Sequence, residues 1–422
     1  MTETQPAAPS KPHWPSIWQL TLSLFGILGL WGISLVILLA VIGSLLTGDM
    51  LSATALIMNA AGTAFAGLLL IPSAGYAIFR LLDRPAPFHL RLRRPSWVIL
   101  ALPPILLLGY LAAKTQVTSL LFLPVLHVVA AAISVGWLLA LGLKGISVGS
   151  PQRAWGIFGM GLVAAPFLSL VAELAALLSF GVLYLLINPG LLDIFLRLSQ
   201  SMPLQSPEAL LDQLEPYLMQ PSTLYIVLAF GALVVPLLEE LFKPVGVWLL
   251  FGRKPSAAQG FAAGLLSGAG YALFENFSLG ASAGEDWAMV LSARIGTSLI
   301  HILTAGLMGW ALSLAWTEKR YLRLALSYLA AVAIHAMWNG TVILSAAAEL
   351  FGTAVSLPDL IYSISAGAPI IFGVLVMGCF MLLFGFNAAL RRAIISPAPQ
   401  QPVADVNLDK EPTKDGSNYQ PD

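Results

Sequence analysis

The 422-residue sequence is short of charge. Lys, Arg, Asp and Glu make up only 10% of it, and its mean hydropathy is +0.84. A soluble domain carries roughly 25% of such residues, so a soluble globular chain of this length is excluded. Formal charge sums to +0, and no global field marks a nucleic-acid partner. Cysteine is nearly absent: Cys379 stands alone in an apolar run. That excludes a disulfide framework within one chain and a zinc site built on cysteines. The H-E-x-x-H helix of many zinc peptidases is missing too. The five histidines open the stretches HWPSI, HLRLR, HVVAA, HILTA and HAMWN.

Long apolar runs are what the sequence has. A membrane helix needs about 20 apolar residues. On that rule the runs predict an all-α, polytopic membrane bundle of ten spans: 17–46, 52–80, 96–113, 118–143, 155–187, 223–251, 258–279, 287–316, 324–348 and 360–388. The third is short and holds Pro103 and Pro104. The first is too long for a signal-peptide core and shows no clear cleavage pattern, so it reads as a retained helix.

Loop charge supports that count. With the N-terminus cytoplasmic, the inner segments hold Lys11, Arg80, Arg84, Arg91, Arg93, Arg94, Lys144, Arg153, Arg253, Lys254, Lys319, Arg320, Arg323, Arg391, Arg392, Lys410 and Lys414. The outer loops hold Lys114 and Arg197. An error of one helix would destroy this positive-inside asymmetry, so both termini are expected in the cytoplasm.

The expected organisation is a polar N-terminal tail (1–16), an N-terminal membrane half of five helices (17–187), an outer loop (188–222), a second membrane region (223–348), a final loop and helix (349–390) and a disordered cytoplasmic tail (391–422). In the outer loop, SPEALLDQLEPYL reads as a short amphipathic helix capped by Ser206 with Pro207 at its first position. No convincing internal repeat is present.

Nine ionisable residues fall inside the spans: Glu173, Glu239, Glu240, Glu275, Lys243, Arg294, His127, His301 and His335. Each costs several kcal/mol at the bilayer centre unless it faces a bundle interior or a wet cavity. Most lie on four successive helices. In LVVPLLEELFKPVGVWLL, Glu239 and Glu240 stand four and three residues before Lys243, so the lysine can pair with either. An internal ion pair accounts for one glutamate and leaves the other over. Two adjacent carboxylates do not both ionise easily in low dielectric, which suits one of them to proton transfer. Pro236 and Pro244 remove backbone donors and can open the helix.

The next helix reads GAGYALFENFSLG. Gly264, Gly268 and Gly270 permit close helix packing, and Glu275, beside Asn276, either pairs with Arg294 or takes part in chemistry. Arg294, Ser298 and His301 share one face of the eighth helix. His335 and Asn339 are four apart on the ninth and could donate two hydrogen bonds to one developing oxyanion. An interhelical packing pair is the plainer reading of those two. His127 and Glu173 stand alone on their helices, where packing or a local polar partner is expected.

EELFK, YALFEN, an arginine followed by HILTAGLMG, and HAMWN come in that order on consecutive helices. Together they resemble the PrsW-type intramembrane proteases, relatives of the CAAX prenyl endopeptidases. The resemblance covers roughly Val234 to Gly340. It implies an endopeptidase of the glutamic type, with Glu239 or Glu240 activating water and His301 holding or polarising it. His335 and Asn339 match the oxyanion positions. Glu275, where the CAAX branch usually has histidine, matches the second-motif acid, and Lys243, Asn276 and Arg294 support the site. A metal-free reading is favoured. Zinc is not excluded, and Glu240, Glu275, His301 and His335 would be its ligands. The implied partner is a membrane-anchored protein in the plasma membrane; an anti-sigma factor is a known substrate in the family. The alternatives are a proton-coupled transporter, which the same buried groups would suit, and an inactive relative that binds membrane proteins without cutting them.

Overall fold

The computed structural model describes residues 13–89, 96–187, 190, 192, 196, 221–279, 284–351 and 358–395. Among them every regular element is helical. The expected helix at 206–218 and the tail from 396 onward lie outside the described residues.

The N-terminal half holds α1 (Trp14–Leu46), α2 (Met50–Leu69), α3 (Ile71–Leu81), α4 (Leu102–Ala112), α5 (Gln116–Gly142), α6 (Pro151–Gly159) and α7 (Ala165–Ile187). The C-terminal half holds α8 (Pro221–Ala229), α9 (Val235–Phe242), α10 (Val245–Trp248), α11 (Ala257–Leu279), α12 (Trp287–Glu318), α13 (Tyr321–Phe351) and α14 (Asp359–Ile395). One π-helical turn, Met160–Ala164, joins α6 to α7, and another, Phe230–Val234, joins α8 to α9. Asp49 caps α2 by accepting from the Ser52 N–H; the Ser52 hydroxyl and N–H draw its carboxyl below the usual value.

Among the described residues eight helical stretches are long and apolar enough to cross a membrane. The expected count was ten, and the two remaining helices differ for separate reasons. The third expected span is a 3-10 segment, Ser96–Ala101, running into α4. At about 2.0 Å rise per 3-10 residue and 1.5 Å per α residue it reaches about 28 Å, close to one bilayer core. Pro103 and Pro104 sit in the first turn of α4, where their missing N–H groups are not needed. The second, α11, is rich in Gly, Ala and Ser rather than Leu. It is enclosed by protein: Phe261, Ala262, Ala263, Leu265, Leu266 and Ala269 are each 0% exposed. A helix that never meets lipid needs small residues more than hydropathy.

Those small residues set the packing of α11. Gly260, Gly264 and Gly268 form a stripe against α12, and an added Cβ would overlap backbone at Gly309, Ala305 and His301 respectively. On another side Gly270 meets the backbone of Phe158 and Leu162, and Gly161 meets that of Ser267. The N-terminal half therefore houses α11. Phe65 of α2 packs edge-on against Phe277, and a single apolar core runs from Ile27 to Leu390. The two halves expected from the sequence share one interior. His127 finds the local partner expected of it, accepting at Nδ1 from the Trp287 indole at 3.2 Å.

Candidate active site

The glutamate pair lies on a helix that is broken on both sides. Before it, the Val235 N–H bonds to Phe230 O in the π turn. Gly231 O is left without a backbone donor, because Pro236, the next residue able to reach it, has no N–H. Asn339 supplies the missing donor through Nδ2 at 3.1 Å. After the pair, Pro244 ends the helix and the Val247 N–H turns back to Pro244 O. Lys243 O is freed, and the Ser267 hydroxyl donates to it at 2.5 Å. Both proline breaks are thus closed by side chains of neighbouring helices.

The Ser267–Lys243 bond also fixes relative depth. From Lys243 back to Glu239 is four residues, and from Ser267 on to Glu275 is eight. At 1.5 Å per residue the two glutamates differ in height by about 6 Å. Span limits counted from the sequence would place them near opposite faces. They meet because α11 starts ten residues below Ser267, whereas α10 ends five below Lys243. The start of α11 therefore lies about 7 Å deeper.

Lys243 is the hub. Its Nζ lies 2.7 Å from Glu240 Oε1, 3.0 Å from Glu239 Oε2 and 3.2 Å from His335 Nδ1. Its ammonium also sits 4.9 Å above the Tyr271 ring. Arg294 is the second cation. It donates from Nη2 to Glu275 Oε2 at 2.7 Å and from Nε to Asn276 Oδ1 at 3.0 Å, and Asn276 donates to Ser298 Oγ at 2.9 Å. Three carboxylates therefore face two basic side chains.

Each histidine is held from behind by a carboxylate. His301 Nε2 donates to Glu275 Oε2 at 2.8 Å, and its Nδ1 is buried without a hydrogen-bond partner among the described residues. His335 Nδ1 lies 3.0 Å from Glu240 Oε1, and its Nε2 faces Glu239 Oε2 at 3.8 Å. The rings are 5.2 Å apart and nearly perpendicular. Glu239, His301 and His335 each present one ligand atom, all within 4.8 Å of one another.

This geometry separates the two glutamates. Glu240 is 0% exposed and committed to Lys243 and His335, whereas Glu239 is 7% exposed and shares its space with both histidines. The sequence offered Glu240, Glu275, His301 and His335 as metal ligands; the trio whose ligand atoms converge is Glu239, His301 and His335. Glu240 and Glu275 stand behind the histidines, where they fix ring orientation, and Glu239 completes the trio in front. One carboxylate and two imidazoles backed by further carboxylates form a donor set that fits zinc. Asn339 is one turn from His335, but its amide is engaged at Gly231. Sequence reasoning had left Glu173 aside, although its helix packs on both α9 and α11.

Comparison with curated proteins and with solved structures gave no match. A family model described as PrsW family intramembrane metalloprotease matches residues 206–383, 178 of the 422. The match contains every member of the cluster just described and supports an intramembrane peptidase in a multi-pass membrane protein. Over residues 206–383 the chain is similar to the PrsW family of intramembrane metalloproteases.

Proposed function

We propose that the protein hydrolyses a peptide bond of a membrane-anchored protein in the plasma membrane, with Glu239 as the group that takes the proton from water. The observation that carries this reading is the convergence of Glu239, His301 and His335 within 4.8 Å, with one nitrogen of each histidine already occupied by a carboxylate. The remaining nitrogens and the Glu239 carboxylate can hold one small oxygen ligand between them. Peptide hydrolysis needs a water held there and a base beside it.

Each residue then has a task. His301 and His335 orient the water, and Glu275 and Glu240 fix the tautomers that do so. Glu239 removes the proton, contributing about 10²–10⁴-fold. Lys243 and Arg294 hold the surrounding carboxylates in place. Asn339 closes the Gly231 break, which positions the Glu239 helix against His335. Should the oxyanion donate-and-release role also fall to Asn339, its bond to Gly231 must open during turnover. Glu239, His301 and His335 would be the ligands of a zinc ion, and the bound metal's Lewis acidity, in place of a free Glu239 carboxylate, would acidify the water. The class of substrate, including any anti-sigma factor, rests on family resemblance.

The test is hydrolysis itself. Purified protein in liposomes is given a membrane-anchored reporter in water enriched in ¹⁸O. A new C-terminal carboxylate carrying ¹⁸O with wild type, and none with Glu239→Gln, is expected. No product, or equal product with both, overturns the reading.

A further inference from the structure

Glu173 lies outside the PrsW-like segment, on α7, and no ion pair or cap among the described residues explains it. The helix is otherwise a membrane helix: Leu170, Val171, Leu174, Leu177 and Leu178 are exposed. One face differs. Ala165 and Leu168 pack with Tyr271 and Val245, and Ser169 faces the Tyr271 side chain. Contacts advance together along the two helices, from Gly161 with Ser267 to Ala165 with Tyr271, so α7 and α11 run parallel. One further turn in that register brings Ser169 level with Glu275, and Glu173 follows one turn beyond, on the same face. The charges of Glu239, Glu275 and Lys243 all act on it. Glu173 is half-buried, and its Oε1 is buried with no hydrogen-bond partner among the described residues.

An acceptor left unpaired at membrane depth is costly. A substrate supplies what it lacks. A membrane segment must unwind around the bond to be cut, and each N–H released there needs an acceptor, since lipid offers none. We infer that Glu173 is a substrate-positioning residue, accepting a backbone N–H from the unwound, extended peptide beside the Glu239–His301–His335 cluster, so that α7 forms one wall of the substrate path. A carboxyl oxygen accepts in either protonation state. The role rests on the peptidase reading above and adds a residue from the N-terminal half to it.

The experiment uses the full chain in liposomes, with wild-type cleavage as the control for the peptidase reading. Glu173→Ala is expected to raise KM about ten- to a hundredfold, the size of a hydrogen bond to a charged group, with kcat changed less than about threefold. Glu173→Gln, which keeps an acceptor oxygen, is expected to recover most of that loss. A photo-cross-linking residue placed at Glu173 in a Glu239→Gln background should capture the reporter next to its cut site, and one at the lipid-facing Leu178 should not. An unchanged KM in Glu173→Ala, a loss confined to kcat, or equal capture from both positions overturns the inference. If wild type cuts nothing while position 173 alone still captures the reporter, the wall stands and the peptidase reading falls.

Discussion

His301 and His335 face each other at 5.2 Å, and each is gripped from behind by a different carboxylate. Glu275 holds one and Glu240 the other, and the two acids are themselves held by Arg294 and Lys243. Two ion pairs on separate helices thus aim two rings at Glu239. The predictions below remove parts of that arrangement in turn.

Lys243→Met leaves Glu239 and Glu240 buried beside each other without a cation. Breaking a buried pair in this way costs about 3–5 kcal/mol, so unfolding in detergent should shift strongly and yield should fall. Lys243→Met combined with Glu240→Leu should regain part of the stability, because Glu239 alone is then left without its cation. A single Lys243→Met variant as stable as wild type would contradict the hub.

Gly264→Val forces a side chain into the Ala305 backbone. Overpacking costs about 1–3 kcal/mol, and cleavage should fall with it because His301 rides on the displaced α12. Gly181, which has nothing within 4 Å, provides the control, and Gly181→Ala should leave both properties unchanged. Thermal melting and reporter turnover measured together check the pair.

Asn339→Ala removes the donor that closes Gly231 O. Such a membrane hydrogen bond averages about 0.6 kcal/mol, so a small loss of stability is expected, with turnover reduced less than about tenfold. A fall of about 10²–10³ at unchanged stability would instead mark an oxyanion donor. The stability and kcat of the one variant distinguish the roles.

Much of this was legible in the sequence, and the limits have physical causes. The buried ionisable groups stand out against an apolar background, so Glu239, Glu240, Lys243, Glu275, Arg294, His301 and His335 could all be named. Helical spacing gave the Lys243 pairs. It could not give which carboxylate backs which histidine, because that depends on how far α11 slides along α9. The slide is fixed by Ser267 meeting a carbonyl that Pro244 had freed. The role of Asn339 was hidden for the same kind of reason: the vacancy it fills arises from a π turn and Pro236 on another helix. α11 was counted as a span like any other, though its glycines are there for contact with protein rather than lipid. Glu173 was set aside because no other charged residue shares its helix, and its charged neighbours arrive from α9 and α11.

Zinc addition should raise the melting temperature of the wild-type protein, since a ligand at about 100 times its Kd contributes about 2.7 kcal/mol. The rise should vanish in Glu239→Gln and in His335→Ala. A rise that persists in both would place any metal elsewhere than at Glu239, His301 and His335.

The most direct measurement is a side-by-side comparison of Glu239→Gln and Glu240→Gln, reading reporter turnover and melting temperature on the same preparations. The account predicts that Glu239→Gln loses at least about 10²-fold in turnover while melting near wild type. Glu240→Gln should lose stability and keep a larger share of its turnover. If Glu240→Gln is instead the inactive, stable variant and Glu239→Gln cleaves normally, Glu239 is not the base and the site is assembled around the other glutamate.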